Sequence, residues 1–470
     1  MESYLGLGLI SWLTLGGLLT LLGGTFRTFR RYLSTIAAIF AWVGVGIGLY
    51  LAWAYPIPKS SFFGIVWGGG VYSFLAAAIS LTGALGLSFL GAYIVRQPEY
   101  QGWEALPLLL LLVGVLTVLP AGNHLLLAIV ALETVSLGAY VLVGLAWKNT
   151  PAAEAAVKYF LLGAVGFAFL LFGVSYLYGL TGTLYFHHLW PMRWEAWYGH
   201  PLFALAMGMI GIGLLFKLSV FPFHWWAPDV YGGATPAAAG VVVALGKLSA
   251  AFLGGLLLHY IAVPKEWQYA LAVIAAASSV VGNLLALRQP SLQRMLGYSS
   301  VAHGGYILLA LVSGPEGRLQ AWTYAAVYGL MSVLAFGLLA LRAEPVEHKN
   351  LRGLGYARPG YGLALALALG SLSGLPPLVG FFAKYSVFVA AFRAGYGLPA
   401  ILALIGALIG YYAYWRPISW LYQPGEAPPV FRPALALGAI LLLGVGVLPL
   451  LLWGAMDYLY GLAGFFLPRP

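Results

Sequence analysis

Residues 211–229 read Gly-Ile-Gly-Leu-Leu-Phe-Lys-Leu-Ser-Val-Phe-Pro-Phe-His-Trp-Trp-Ala-Pro-Asp. They close an apolar run over 201–221 that is long enough to cross a bilayer, since a hydrocarbon core of about 30 Å needs roughly 20 apolar residues. Yet the run carries Lys217 and ends in Pro222 and Pro228. A charge at the bilayer centre costs about 3 kcal/mol on insertion scales. Proline removes a backbone donor and clashes with the preceding turn, and freed backbone groups persist at membrane depth only when buried in protein or lining water. The stretch therefore reads as a broken membrane helix with a cation beside the break.

Four more charges sit in comparable runs. They are Glu133 in Leu-Ala-Ile-Val-Ala-Leu-Glu-Thr-Val-Ser-Leu, Lys158 in Ala-Val-Lys-Tyr-Phe, Lys247 in Val-Ala-Leu-Gly-Lys-Leu-Ser-Ala-Ala and Lys384 in Val-Gly-Phe-Phe-Ala-Lys-Tyr-Ser. Charges kept in such surroundings mark ion paths, and the simplest ion to move is a proton.

Composition sets the class. The 470 residues are 62% hydrophobic and 8% charged, against about 25% charged in soluble domains, so the chain reads as one integral membrane bundle with no soluble domain. There is no cysteine, which excludes disulfides, thiolate-held iron–sulfur clusters and a catalytic thiol. The eight histidines include no His-x-x-x-His pair, which argues against a metal site; His187-His188 reads as a solvated loop pair. The net charge of +10 lies in short loops, where it sets topology and does not point to nucleic acid. The first apolar run lacks the basic leader and cleavage site of a signal peptide and is kept as a span.

Fourteen spans are expected, over 4–24, 32–54, 68–95, 106–121, 123–147, 155–180, 201–221, 237–260, 267–287, 295–313, 319–341, 360–393, 397–415 and 433–460. Loops after odd-numbered spans hold Arg27, Arg30, Arg31, Arg96, Lys148, Arg288, Arg294, Arg342, Lys349, Arg352, Arg358, Arg416 and Arg432; the other side holds Lys59, Arg193, Lys265, Arg318, Arg393 and Arg469. This bias places the loops after odd spans in the cytoplasm and both termini on the outer, periplasmic side.

The twelfth span is too long for one crossing and contains Ser373-Gly374-Leu375-Pro376-Pro377. Broken spans at matching places in two halves point to inverted repeats. Spans four to eight and nine to thirteen make two five-helix units, with the break fourth in each and a lysine, Lys217 or Lys384, near it. The second helix of each unit holds a central titratable group, Glu133 or His303. The expected fold is thus an all-α membrane protein. A three-helix segment over 1–105 precedes repeats over 106–260 and 267–415, and a loop and last helix follow over 416–470.

Burial makes an ammonium release its proton more readily, and a nearby carboxylate reverses this. A Glu133–Lys217 pair would hold a proton when close and release it when apart. Lys217, Lys247, His303 and Lys384 follow one another through the bundle as a polar row. Tyr324, Tyr328 and Ser332 recur every four residues, which makes one helix stripe suited to ordering water, and Ser299 and Ser300 flank His303. Plainer readings stand beside these. Lys158, near the start of its span, can snorkel, as can Lys217 if its helix stops at Pro222. His303 can be a hydrogen-bonded core residue, the tyrosine stripe can be packing, and His224 sits at the break with either an outlet role or none. His124 and His259 lie near span ends and read as interfacial, while Asp229 reads as structural.

At these residues the chain resembles the antiporter-like, proton-pumping membrane subunits of respiratory complex I, the NADH:quinone oxidoreductase. The segment from Phe216 through Asp229 and Tyr231 to Ala234-Thr235-Pro236 is similar to that family's most specific motif, and Gly374-Leu375-Pro376-Pro377 through Ala383-Lys384 to a second. Glu133 and Lys247 fit the family's fifth-span glutamate and eighth-span lysine. The resemblance covers about residues 70 to 460 and is weak over the first three spans. It favours the subunit N type: an M type would carry glutamate at the place of Lys384, and an L type would continue into a long lateral helix.

The resemblance implies that this chain translocates protons while other subunits, holding NADH, FMN, iron–sulfur clusters and quinone, perform electron transfer. It implies no cofactor in this chain, and it implies neighbouring complex I membrane subunits, further antiporter-like ones among them, in a bacterial inner membrane. Glu133 and Lys217 would form the modulating pair, Lys247 the link between halves, and Lys384 the exchange point with the outside. Three rivals remain at this stage: a subunit of a multi-subunit sodium–proton antiporter, a stand-alone solute carrier, and a structural scaffold.

Overall fold

The computed structural model describes residues 5–56, 59–61, 65–97, 102–190, 192–342 and 348–425. The chain termini and the expected fourteenth span over 433–460 lie outside them. The described residues are mostly helical, and ten of their helices are long and apolar enough to cross a membrane.

The N-terminal part is α1 (Leu5–Thr25), α2 (Leu33–Ala54) and α3 (Gly70–Arg96), with a small antiparallel hairpin, β1 (Lys59–Ser61) and β2 (Val66–Gly68), between the last two. Then follow α4 (Ala105–Ala121), α5 (Leu125–Gly144) and α6 (Thr150–Thr181). Helix α6 starts five residues before the expected 155, because Asn149 caps it: its Oδ1 accepts from the Ala152 N–H at 3.2 Å, and Pro151 fills the first turn, where its missing N–H costs nothing. His187 and His188 lie in a one-turn helix, α7 (Phe186–Leu189), and not in a plain loop.

The seventh run forms α8 (Pro201–Lys217) and, after a non-helical stretch, α9 (Trp226–Gly233). The first helix stops four residues short of the expected 221, because Ser219 turns left-handed (φ 51) ahead of Pro222. Helices α10 (Pro236–Tyr260), α11 (Lys265–Leu287), α12 (Leu292–Val312) and α13 (Gly314–Ala340) follow, then a short α14 (Leu354–Ala357). The twelfth run forms α15 (Pro359–Ser373) and α16 (Val379–Arg393), and α17 (Gly397–Leu421) runs six residues past the expected 415.

Helices α10, α12 and α13 make the interior. Their apolar windows are 89%, 94% and 100% buried, against 28% for α2 and 33% for α6. Polar side chains on α10, α12 and α13 therefore face protein. Small residues let backbones touch, as in membrane interfaces generally. A Cβ on Gly305 of α12 would lie 2.5 Å from the Ala275 carbonyl of α11, and one on Gly282 of α11 2.7 Å from the Ala302 nitrogen of α12.

Candidate functional site: a buried row of ionisable side chains

The row begins on α5. Glu133, Ser136 and Tyr140 are three and four residues apart, so they share one helix face. Lys217, the last residue of α8, meets that face. Its Nζ is 3.4 Å from Glu133 Oε2, 2.6 Å from Ser136 Oγ and 3.3 Å from the Tyr140 hydroxyl. An ammonium has three N–H donors, and three acceptors are present. The side chains of Lys217 and Glu133 are only 7% and 12% exposed, so this is a desolvated pair and not a snorkelling lysine. Aromatic rings wall it off. Tyr140 packs edge-on to Tyr159 at 4.5 Å, and Trp226 stacks between Tyr159 (5.0 Å) and Phe216 (5.2 Å).

One peptide further on, the Leu218 carbonyl accepts a hydrogen bond from Lys247 Nζ of α10, which also donates to Ser219 Oγ at 3.1 Å. Lys247 is 1% exposed. The α12 backbone closes over this contact at Gly304, where a Cβ would lie 2.3 Å from the Leu218 carbonyl oxygen and 2.9 Å from Lys247 Nζ. Any larger residue would push the ammonium away.

His303, beside Gly304, is fully enclosed. Its Nδ1 faces the Tyr324 hydroxyl at 2.8 Å, its Nε2 faces the Tyr414 hydroxyl at 3.2 Å, and its ring stacks on Tyr328 at 4.3 Å. A neutral imidazole donates from one nitrogen and accepts at the other. One tyrosine must therefore donate while the other accepts, and exchanging the tautomer reverses both bonds. Ser299 Oγ bonds to the Tyr414 hydroxyl, and Ser300 Oγ donates to its own helix at the Gly297 carbonyl (2.8 Å).

Tyr306, one turn after His303, leads to the last lysine. Its ring is 5.5 Å from that of His303 and lies 5.3 Å from Lys384 Nζ. Its hydroxyl accepts from Ser279 Oγ (3.1 Å) and Asn283 Nδ2 (3.2 Å). Lys384 Nζ donates to the Leu372 and Ser373 carbonyls, each at 2.8 Å.

Two expected residues stand apart. Lys158 has a side chain 45% exposed and pairs with Glu154 (2.5 Å) and Asp229 (3.8 Å); Asp229 in turn pairs with Arg294 at 2.9 Å. His224 is only partly buried, and its Nδ1 finds no hydrogen-bond partner among the described residues. Sequence reading missed Ser136, Tyr140, Ser219, Gly304, Tyr306 and Tyr414. For Ser136 and Tyr140, the helical spacing from Glu133 was the available signal. Among the described residues no three His, Asp or Glu side chains gather into a metal-holding group.

A helical membrane bundle that encloses ammonium, carboxylate and imidazole groups has the makeup expected of an ion-translocating membrane protein. The family described as NADH:quinone oxidoreductase/Mrp antiporter, transmembrane, matches residues 122–410. The chain is 42% identical over 340 residues to NADH-quinone oxidoreductase subunit 14 of Thermus thermophilus, covering 70% of this chain and 75% of that one. It is 32% identical over 442 residues to NADH-quinone oxidoreductase subunit N of Nitrosomonas europaea, covering 90% and 91%. A chain of respiratory complex I from Thermus thermophilus with bound aureothin superposes with a TM-score of 0.74 at 33% identity, covering 93% of this chain and 97% of that one. The chain belongs to the NADH:quinone oxidoreductase/Mrp antiporter family, among its subunit N-type members.

Proposed function

We propose that this chain is the proton-translocating, subunit N-type membrane component of an NADH:quinone oxidoreductase. It carries protons while other subunits, holding the flavin, iron–sulfur clusters and quinone site, move electrons from NADH to quinone. The observation that carries the proposal is the desolvated Glu133–Lys217 pair, 3.4 Å apart, followed through the bundle by Lys247 on the Leu218 carbonyl, by His303 and Tyr306, and by Lys384. Separating the pair makes Lys217 release its proton, because a buried ammonium without its carboxylate is costly. Lys247 and His303, with Tyr324, Tyr328 and Tyr414 around the imidazole, pass the proton along, and Lys384 exchanges it with the outer side. His224 at the first break serves as an outlet group, and Lys158 sits at the margin of the path.

In this reading the chain has fourteen spans, and units 106–260 and 267–415 are inverted repeats whose fourth members are the interrupted ones. A three-helix segment over 1–105 comes before them and a loop with a final span over 416–470 after them. Both termini face the periplasm of a bacterial inner membrane, and neighbouring complex I membrane subunits, further antiporter-like ones included, flank the chain.

The test is NADH-driven acidification of vesicles holding the assembled complex, with Lys217→Ala and Lys384→Ala. Loss of pumping with the complex still assembled is expected; unchanged pumping would leave the chain a scaffold. Retained NADH-independent sodium–proton exchange, with no dependence on electron transfer, would instead make it a subunit of a multi-subunit antiporter.

A further inference from the structure

Both interrupted helices end in the same cap. At the end of α8, the N–H of Ser219 (φ 51) donates to the Phe216 carbonyl at 2.9 Å, and that of Val220 donates to the Leu215 carbonyl at 3.1 Å. At the end of α15, the N–H of Gly374 (φ 88) donates to the Ser371 carbonyl at 3.0 Å, and that of Leu375 donates to the Gly370 carbonyl at 3.0 Å. This two-bond cap covers two of the four carbonyls that every helix end leaves open. The two it does not reach are those of Lys217 and the capping residue Leu218 at the end of α8, and of Leu372 and Ser373 at the end of α15.

In a continuous helix each carbonyl takes the N–H four residues on. For Leu218 that residue is Pro222; for Leu372 and Ser373 it is Pro376 and Pro377. None of the three has an N–H to give. Ammonium groups bind these same carbonyls. Lys247 Nζ donates to Leu218, and Lys384 Nζ donates to Leu372 and Ser373. A cation at this place also meets the negative end of the half-helix dipole. At Gly374 the absence of a side chain keeps the approach open, since a Cβ there would lie 3.1 Å from Lys384 Cδ.

We infer that Pro222, Pro376 and Pro377 are positioning residues of the proton path: each withholds the backbone N–H that would occupy one carbonyl, and the three freed carbonyls are the sockets that hold the ammonium groups of Lys247 and Lys384. The inference rests on the reading above, in which those two lysines carry protons.

Alanine at these places restores the competing N–H. The experiment puts Pro222→Ala, and separately the pair Pro376→Ala and Pro377→Ala, into the assembled complex in vesicles. NADH-driven acidification is then followed from about pH 6 to 10, beside NADH:quinone turnover. Weakening a hydrogen bond to a charged group changes proton affinity by roughly one pH unit, so the alkaline limb of the pumping profile moves about one unit toward lower pH. Ser219→Gly keeps the left-handed turn and removes only the hydroxyl that Lys247 shares, so a limb that moves the same way shows that the profile reads Lys247; Pro222→Gly, which also restores the N–H, carries the test if Pro222→Ala fails to assemble. Pro120→Ala, a proline inside α4, leaves the limb in place. A limb unmoved in Pro222→Ala and in the Pro376→Ala, Pro377→Ala pair, or moved equally in Pro120→Ala, overturns the inference. If Lys247→Ala and Lys384→Ala themselves leave pumping intact, the proton-path reading fails; if they abolish it while the limb stays fixed in the proline variants, only this inference fails.

Discussion

Lys217 and Lys384 are both buried ammonium groups beside an interrupted helix, yet they are held in different ways. Lys217 is the last residue before its break and is neutralised by a carboxylate, Glu133, with two hydroxyls. Lys384 lies beyond its break, on α16, and is held by two carbonyls and a tyrosine ring. In contact terms Lys384 matches Lys247, which docks on the first break, more closely than it matches Lys217. The difference is chemical. A carboxylate can take up a proton or swing away, so the hold on Lys217 can be switched. Carbonyl dipoles are fixed by the backbone, so the hold on Lys384 changes only if the helix end or its hydration changes. On the proposed function, one end of the row works as a switch and the other as a socket.

The hardest test of this contrast is Lys217→Ala. It leaves Glu133 buried without its cation, and breaking a buried pair by removing one partner costs about 3–5 kcal/mol. Pumping is expected to fall by tenfold or more, with a lower thermal midpoint for the assembled complex. Glu133→Gln in the same chain should restore much of the midpoint and none of the pumping, because it removes the stranded charge but not the need for the lysine. Lys384→Ala strands only carbonyls, so it should lose as much pumping with a smaller drop in the midpoint. Equal drops for the two lysines, read by calorimetry or thermal shift, would erase the distinction between switch and socket.

A smaller effect is expected one layer out. Ser136→Ala and Tyr140→Phe each remove one hydrogen bond to a charged group, about 1.5 kcal/mol or more, so each should slow pumping several-fold. Tyr306→Phe keeps the ring near Lys384 and should cost less than Tyr306→Leu, which removes a cation–π contact of about 0.5–2 kcal/mol. Equal losses for the two variants in vesicle pumping assays would mean that the Tyr306 hydroxyl, not its ring, matters.

The membrane class and the helical architecture were legible because the apolar runs are long and charges are few. The helix end at Lys217 was not, since hydropathy continues unbroken through Leu218, Val220 and Phe221; what stops the helix is the left-handed turn at Ser219. The ionisable residues announced themselves by being charged in apolar surroundings. Their partners did so only where they share a helix. Ser136 and Tyr140 follow Glu133 at helical spacing, whereas Tyr414 reaches His303 across 111 residues of sequence and carries no local mark. Carbonyl partners leave no trace in side-chain chemistry, and for Lys384 the only hint was the pair of prolines upstream.

Lys158 gives the smallest expected effect and sets the edge of the site. From sequence it looked like the other four charges, because it too lies in an apolar run. In the structure it is 45% exposed and joins Glu154, Asp229 and Arg294 at the start of α6, away from the enclosed row. Exposed ion pairs contribute little because water and salt screen them. Lys158→Ala is therefore expected to leave vesicle pumping within about twofold of the unaltered chain, and whatever effect it has should shrink as salt is raised. Lys217→Ala, enclosed by Tyr140, Tyr159 and Trp226, should show a loss that salt does not alter. A tenfold loss in Lys158→Ala that persists at high salt would move the boundary of the path outward to α6 and make the exposed cluster its entrance.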